Sequence, residues 1–262
     1  MSNFLPAFWA ESLKVRRSKV SLGISVGFLI LPLVAGLFII ILKDPERARS
    51  MGLISMKAQL AGGVADLPTF FDILLQGTAI GGGMLFAFIT AWVFGREFSD
   101  HTVKELLAVP TGRWIIVSAK FLMTAFWILG LTLLTFVIGL GIGTAVGIPG
   151  WSSELVGTSF WALLLITLLL FMLMPLIALF ASVGRGYLLP IGWAFFTLVA
   201  AQIAGVLGWG AWFPWSVPFL ASGMLGPRAE QVGVQSYFLV LLAFIVGFAG
   251  TFAWWQHADQ AR

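Results

Sequence analysis

Asp, Glu, Lys, Arg and His are placed so that six long stretches of this chain carry none of them: Val20–Leu42, Ile73–Gly95, Phe121–Ser153, Leu155–Gly184, Gly186–Pro227 and Gln231–Gln256. A helix needs about 20 apolar residues to cross a hydrocarbon layer, so every stretch can hold a span. The whole chain is 60% apolar and 10% charged, whereas a soluble domain carries roughly 25% charged residues. That excludes an ordinary cytosolic globule and a disordered chain. The stretch of 42 residues from Gly186 to Pro227 is too long for one span and short for two. Its second part holds Trp209, Trp212, Pro214, Trp215 and Pro218, which break a helix and favour the membrane interface. The expectation is an all-α polytopic membrane protein forming one transmembrane domain, residues 1–262. It has an interfacial helix at 4–19 and spans at 20–42, 73–95, 114–147, 155–183, 187–207 and 236–256. A cytoplasmic loop lies at 96–113, and an outer re-entrant segment, 208–227, precedes the last span.

The first span is no cleaved signal peptide: its apolar run is too long, and Lys43-Asp44-Pro45-Glu46 follows it in place of small residues. A six-span layout puts ten Lys and Arg residues on the side of the N-terminus and five on the other, with acids divided five against six. The positive-inside rule then places both termini in the cytoplasm, in a cell membrane crossed several times. The basic balance is therefore topological. It makes no phosphate-binding face, so nucleic acid is not expected as a partner.

Chemistry-bearing constellations are sparse. Cysteine is absent, which removes thiol chemistry and Cys-ligated zinc. His101 and His257 lie far apart on polar segments and read as solvated loop histidines. Gly23-Ile24-Ser25-Val26-Gly27 spells a nucleophile-elbow pattern, but it sits inside a span, where the same glycines read as a helix-packing seam. Gly139, Gly143 and Gly147 repeat the small-residue spacing, as do Gly83, Ala87, Ala91 and Gly95. No catalytic residue and no metal ligand set is expected. No ionisable side chain falls near the centre of a span, which disfavours a proton- or cation-coupled carrier. Lys120, a turn or two inside a cytoplasmic end, reads as a snorkelling residue. The chain has no Gly-Lys dipeptide and hence no Walker A loop; an energy source must be another polypeptide. Gln76, Thr78 and Gln202 are polar residues within spans and candidates for a substrate path, with interhelical hydrogen bonding as the plainer role.

Two polar segments are suited to receive that energy. Phe4–Lys19 places Leu5, Phe8, Trp9 and Leu13 at helical spacing, with Glu11, Lys14 and Arg17 elsewhere, which predicts a helix lying in the interface with basic groups at anionic headgroups. Between the second and third spans, Thr102-Val103-Lys104-Glu105 fits a capping box and Pro110 ends the helix it opens. Val103, Leu106 and Leu107 share one edge of this short helix, a shape suited to a partner's groove.

These residues resemble the type-2 branch of the ATP-binding-cassette (ABC) exporter permeases. The loop between spans two and three supplies Arg96, Glu97, Asp100, Thr102, Lys104, Glu105, Leu106, Leu107, Pro110, Arg113 and Lys120, nearly the whole family pattern. Glu11, Lys14, Arg16 and Arg17 resemble the family's N-terminal interfacial helix. Pro214-Trp215-Ser216-Val217-Pro218 is similar to an element in permeases linked to peptide-antibiotic resistance. The resemblance implies a homodimer or pseudo-dimer of permeases joined to two copies of a separate ABC ATPase, which binds the ATP and Mg. It implies that Thr102–Val109 is a coupling helix, with Val103 on its apolar edge, and that Glu97 anchors the segment at the membrane boundary. The outer loop Lys43–Asp72 is too short for a folded extracellular domain. The expected function is ATP-driven export of a drug, antibiotic peptide or lipid-linked molecule, by a subunit that is not itself an enzyme. The alternatives are a scaffold or assembly subunit without transport activity and, less well matched, a membrane enzyme.

Overall fold

The computed structural model describes residues 4–44, 64–224 and 232–257. Among these residues all regular structure is helical. Six helical stretches are long and apolar enough to cross a membrane: Lys19–Lys43, Leu67–Ser99, Arg113–Ala145, Ser153–Val183, Leu188–Val206 and Val234–His257. They are called the first to sixth spans below. A helix at Phe4–Arg17 precedes them, and a six-residue helix, Val103–Ala108, lies between the second and third. Arg47, Arg49, Lys57, Arg228, Asp259 and Arg262, which contribute to the charge count of the two sides, lie outside the described residues, as do residues 225–227 of the outer segment.

The second span is longer at both ends than its charge-free stretch. Asp66 caps it by accepting from the Thr69 amide at 3.0 Å, and Arg96 and Glu97 lie inside its last turns. Charges at the ends of a span reach the interface without ending the helix. Midway, Thr78–Gly82 forms a single wide π turn. The Thr78 hydroxyl donates to the Leu74 carbonyl at 2.8 Å.

The bundle centres on the fourth span, which packs against the second and the sixth. A Cβ at Gly247 of the sixth span would meet the Leu176 backbone nitrogen and come within 2.6 Å of the Pro175 carbonyl carbon, so this crossing requires glycine. Gly95 serves similarly: a Cβ there would lie 2.9 Å from the Gly186 carbonyl oxygen. The expected seam at Gly23 is not used, because nothing lies within 4 Å of a Cβ built there. Long-range ties at the helix ends are carbonyl caps. Lys43 donates to Val146 and Gly147 carbonyls at 2.6 and 2.8 Å. Arg113 donates to those of Trp255 and Gln256 at 3.1 and 3.2 Å. Both place a cation at a helix C-terminus, where the aligned peptide dipoles favour it.

Residues 208–224 form two 3₁₀ turns, Gly210–Trp212 and Pro214–Ser216, and a short helix, Val217–Ala221. None of these pieces is long enough to cross. Trp209 and Trp212 are 70% and 67% exposed, as interfacial tryptophans should be. Trp215 is not of that kind: its ring packs edge-on to Trp193, 5.8 Å between centroids, because Pro214 turns it inward while Val217, Phe219 and Leu220 bury beside it.

Candidate functional site: a buried charge cluster beneath the 96–120 loop

The second span ends in a left-handed turn. The Asp100, His101 and Thr102 amides donate to the carbonyls of Arg96, Phe98 and Glu97 at 2.8, 3.3 and 2.9 Å, with His101 at φ +58°. This reverses the chain into Val103–Ala108. The anticipated capping box does not form. Thr102 has φ −94° and ψ 3° and makes no side-chain cap bond, since the turn that ends the span has already set its backbone away from the extended geometry of a capping residue.

Four charged side chains meet under this loop. Glu97 Oε1 accepts from Lys120 at 2.7 Å and from Lys14 at 2.8 Å. Lys14 also donates to Glu11 Oε1 at 2.6 Å. Lys120 reaches Glu11 Oε2 at 3.4 Å and the Val93 carbonyl at 2.8 Å. Lys120 is fully buried, and Glu97 and Glu11 are 3% and 5% exposed. The Glu97 Oε2 atom is buried with no hydrogen-bond partner. The cluster joins the N-terminal helix to both ends of the loop, the end of the second span and the start of the third. Burial works most strongly against the charge of Lys14, but Glu11 and Glu97 together outweigh it and hold its pKa above the usual 10.5.

Several expectations are corrected by this geometry. Lys120 does not snorkel, because Glu97 and the Val93 carbonyl satisfy it in place. Glu11 and Lys14 turn inward to pair with the cluster, and of the four charged residues only Arg16 and Arg17 lie on the exposed side of the helix. Glu97 is buried and takes both Lys14 and Lys120. Leu106 and Leu107 are half-buried against the chain's own core. Leu106 also lines an open cavity of about 600 Å³ beside Pro6, Ala7 and Ala10, which leaves Lys104, Glu105, Ala108 and Val109 as the exposed side of the short helix. Val103 is buried.

Arg96 pairs with Asp100 at 3.2 Å and lies 5.1 Å from the centre of the Trp92 ring. Arg113, at the start of the third span, sits apart from the cluster, against the carboxyl end of the sixth span. Phe98 contacts Trp254 and Trp255 of that span, with centroids at 5.6 and 5.7 Å. The three polar span residues do not form one path. Thr78 is spent within its helix, Gln202 approaches the Met224 sulfur at 3.9 Å, and Gln76 is half-buried near the π turn. An apolar recess between the second, fourth and fifth spans, bounded by Gly83, Leu170, Thr197 and Trp215, includes none of the three. No group of His, Asp and Glu suited to a metal occurs among the described residues.

Sequence reasoning found all four members of the cluster but not their meeting, because Glu11 and Lys120 are 109 residues apart. The available signal was the lysine itself, an ionisable group inside an apolar stretch, which calls for a named partner.

Six apolar spans and a buried four-member charge cluster beneath one loop define a multi-pass membrane protein. The family described as "ABC-2 family transporter protein" matches residues 7–201, and the chain belongs to it. The chain is also similar to the bacitracin transport permease protein BCRB of Bacillus licheniformis, 28% identical over 195 residues that cover 73% of this chain and 91% of that protein. No solved structure matches.

Proposed function

We propose that this chain is the permease subunit of an ABC exporter, pairing with a second permease copy and with two copies of a separate ATPase that holds ATP and Mg. Both termini then face the cytoplasm, and the exposed side of Val103–Ala108, with Val109, meets the ATPase. The observation that carries this reading is the cluster of Glu11, Lys14, Glu97 and Lys120. It fixes both roots of the loop to the N-terminal helix, so a push on the short helix moves the second and third spans together and is not lost in a slack connector. The two carboxylates and two lysines balance, and removal of any one would leave a net charge out of water, which keeps the attachment rigid. The bacitracin permease suggests a peptide antibiotic or another amphipathic molecule as the substrate class.

The test is copurification of the chain with the ATPase encoded beside it, followed by ATPase assays against a panel of amphipathic compounds. Val109→Asp is the variant of choice, since Val109 is 51% exposed and a charge there must be desolvated on docking. Association and transport should fall while thermal stability in detergent stays unchanged. Leu106→Asp is less clean, because Leu106 also packs against its own chain. Full association and transport in Val109→Asp would reduce the loop to a connector and leave the scaffold reading in its place.

A further inference from the structure

Lys14 faces the charge cluster on one side and an open cavity of about 260 Å³ on the other. That cavity lies between the N-terminal helix, the start of the first span and the end of the second, and is lined by Ala10, Leu13, Lys14, Arg17, Ser18 and Arg96. Three of these side chains are cationic and none is acidic. The Arg17 guanidinium is exposed and makes no ion pair or hydrogen bond among the described residues. Arg96 spends its Nε on Asp100 at 3.2 Å, while its Nη1 is buried with no acceptor. Lys14 uses two of its three N–H groups on Glu11 and Glu97.

Ser18 caps the first span by accepting from the Val20 amide at 3.1 Å, which leaves its hydroxyl proton free to donate. The amino end of that span adds partial positive charge, set against the carboxyl end of the N-terminal helix at Arg17. The lining side chains bring several unspent donors and no carboxylate.

We propose that this cavity binds an anionic phosphate group, carried by a membrane phospholipid or present as free phosphate. An arginine fork offers two N–H groups to two phosphate oxygens, and a second arginine with a lysine close the charge around them. The place also suits a lipid. The N-terminal helix exposes Leu5 and Trp9, 75% and 58% accessible, and basic pockets at span ends take anionic headgroups. The proposal does not depend on what the protein exports or on its ATPase.

The experiment uses the full chain in neutral detergent and three probes: dioctanoyl phosphatidylglycerol, dioctanoyl phosphatidylcholine and inorganic phosphate. The anionic lipid should bind about tenfold or more tightly than the zwitterionic one, as expected for more than one basic contact at about 1 kcal/mol each. Arg17→Gln should weaken that binding by about fivefold, while Arg16→Gln, which removes the same charge one residue away and outside the cavity, should leave it nearly unchanged. Both arginines are exposed, so neither variant should alter the unfolding midpoint. Displacement of the lipid by millimolar phosphate identifies the free anion as ligand, and resistance to it identifies the headgroup. Equal losses in Arg16→Gln and Arg17→Gln, or no preference for the anionic lipid together with no phosphate binding, overturn the proposal.

Discussion

At one end of the bundle the N-terminal helix and the 96–120 loop are held by Glu11, Lys14, Glu97 and Lys120, nearly all out of water. At the other end residues 208–224 are held by neutral groups. There the Ser216 hydroxyl donates to the Ala201 carbonyl at 3.0 Å, the Ser236 hydroxyl donates to the Ala211 carbonyl at 2.8 Å, and Trp215 packs on Trp193. The turns differ too. Positive φ falls on Gly147, Gly150, Gly208 and Gly223 at the end opposite the loop, but on His101 and Arg185 at the loop end. The lesson is one of cooperativity. Neutral pegs add up in small increments and fail one at a time, whereas a buried charge set depends on every member, since the loss of one leaves an uncompensated charge out of water. The end that carries the charge set is therefore the one held as a single piece, and it also retains backbone strain at His101 and Arg185.

The largest expected effect is at the centre of the charge set. Lys120→Met leaves Glu11 Oε2 without its cation and Glu97 with only Lys14. It should cost about 3–5 kcal/mol, seen as a large drop in the thermal unfolding midpoint in detergent. Lys120→Met combined with Glu97→Gln should recover part of that loss, because Glu11 and Glu97 no longer share the single cation of Lys14. A single-variant cost no greater than that of an outer peg would erase the contrast between the two ends.

Two smaller effects, each about 1 kcal/mol, belong to the outer end. Ser216→Ala removes one hydrogen bond, and hydrogen exchange should quicken around residues 209–216 while the 96–120 loop keeps its protection. Gly208→Ala forces a side chain into φ +83° and should cost about as much.

The pH dependence sharpens the contrast further. Because the folded pKa of Lys14 lies above 10.5, its contribution is fully present below that pH and is lost as pH rises through the folded value. Alkaline melts should loosen the N-terminal helix before the outer segment, and Lys14→Met should flatten that part of the profile. The smallest effect is a gain: His101→Gly relieves a left-handed residue at the loop end and should stabilise by at most about 1 kcal/mol. A matching loss would mean that the His101 side chain is needed where it stands.

Much of the fold was legible because hydrocarbon admits so few backbone solutions. Six charge-free stretches became six long helices, and Trp209, Trp212, Pro214 and Pro218 marked a segment that does not form another. Helix ends were less legible, since Asp72 and Arg96 lie inside the second span although they bound its charge-free stretch. The loop residues that suggested a type-2 ABC permease were also readable, in type and in order. Their directions were not. A pattern of polar and apolar residues says that Glu11, Lys14 and Arg17 avoid the lipid, but the pattern alone leaves open whether each meets water, a headgroup or an opposite charge.

The sequence by itself therefore determined the number of spans, the excess of basic residues on one side and the kinds of residue in the loop, because hydropathy and chain length act locally. The tertiary structure alone decided that Lys120 is a buried partner of Glu97 and not a snorkelling side chain, that Arg113 caps the last span, and that Leu106 packs inward. Each depends on which helix faces which across a hundred residues of chain. Burial and ion pairing are properties of that packing and belong to no residue taken alone.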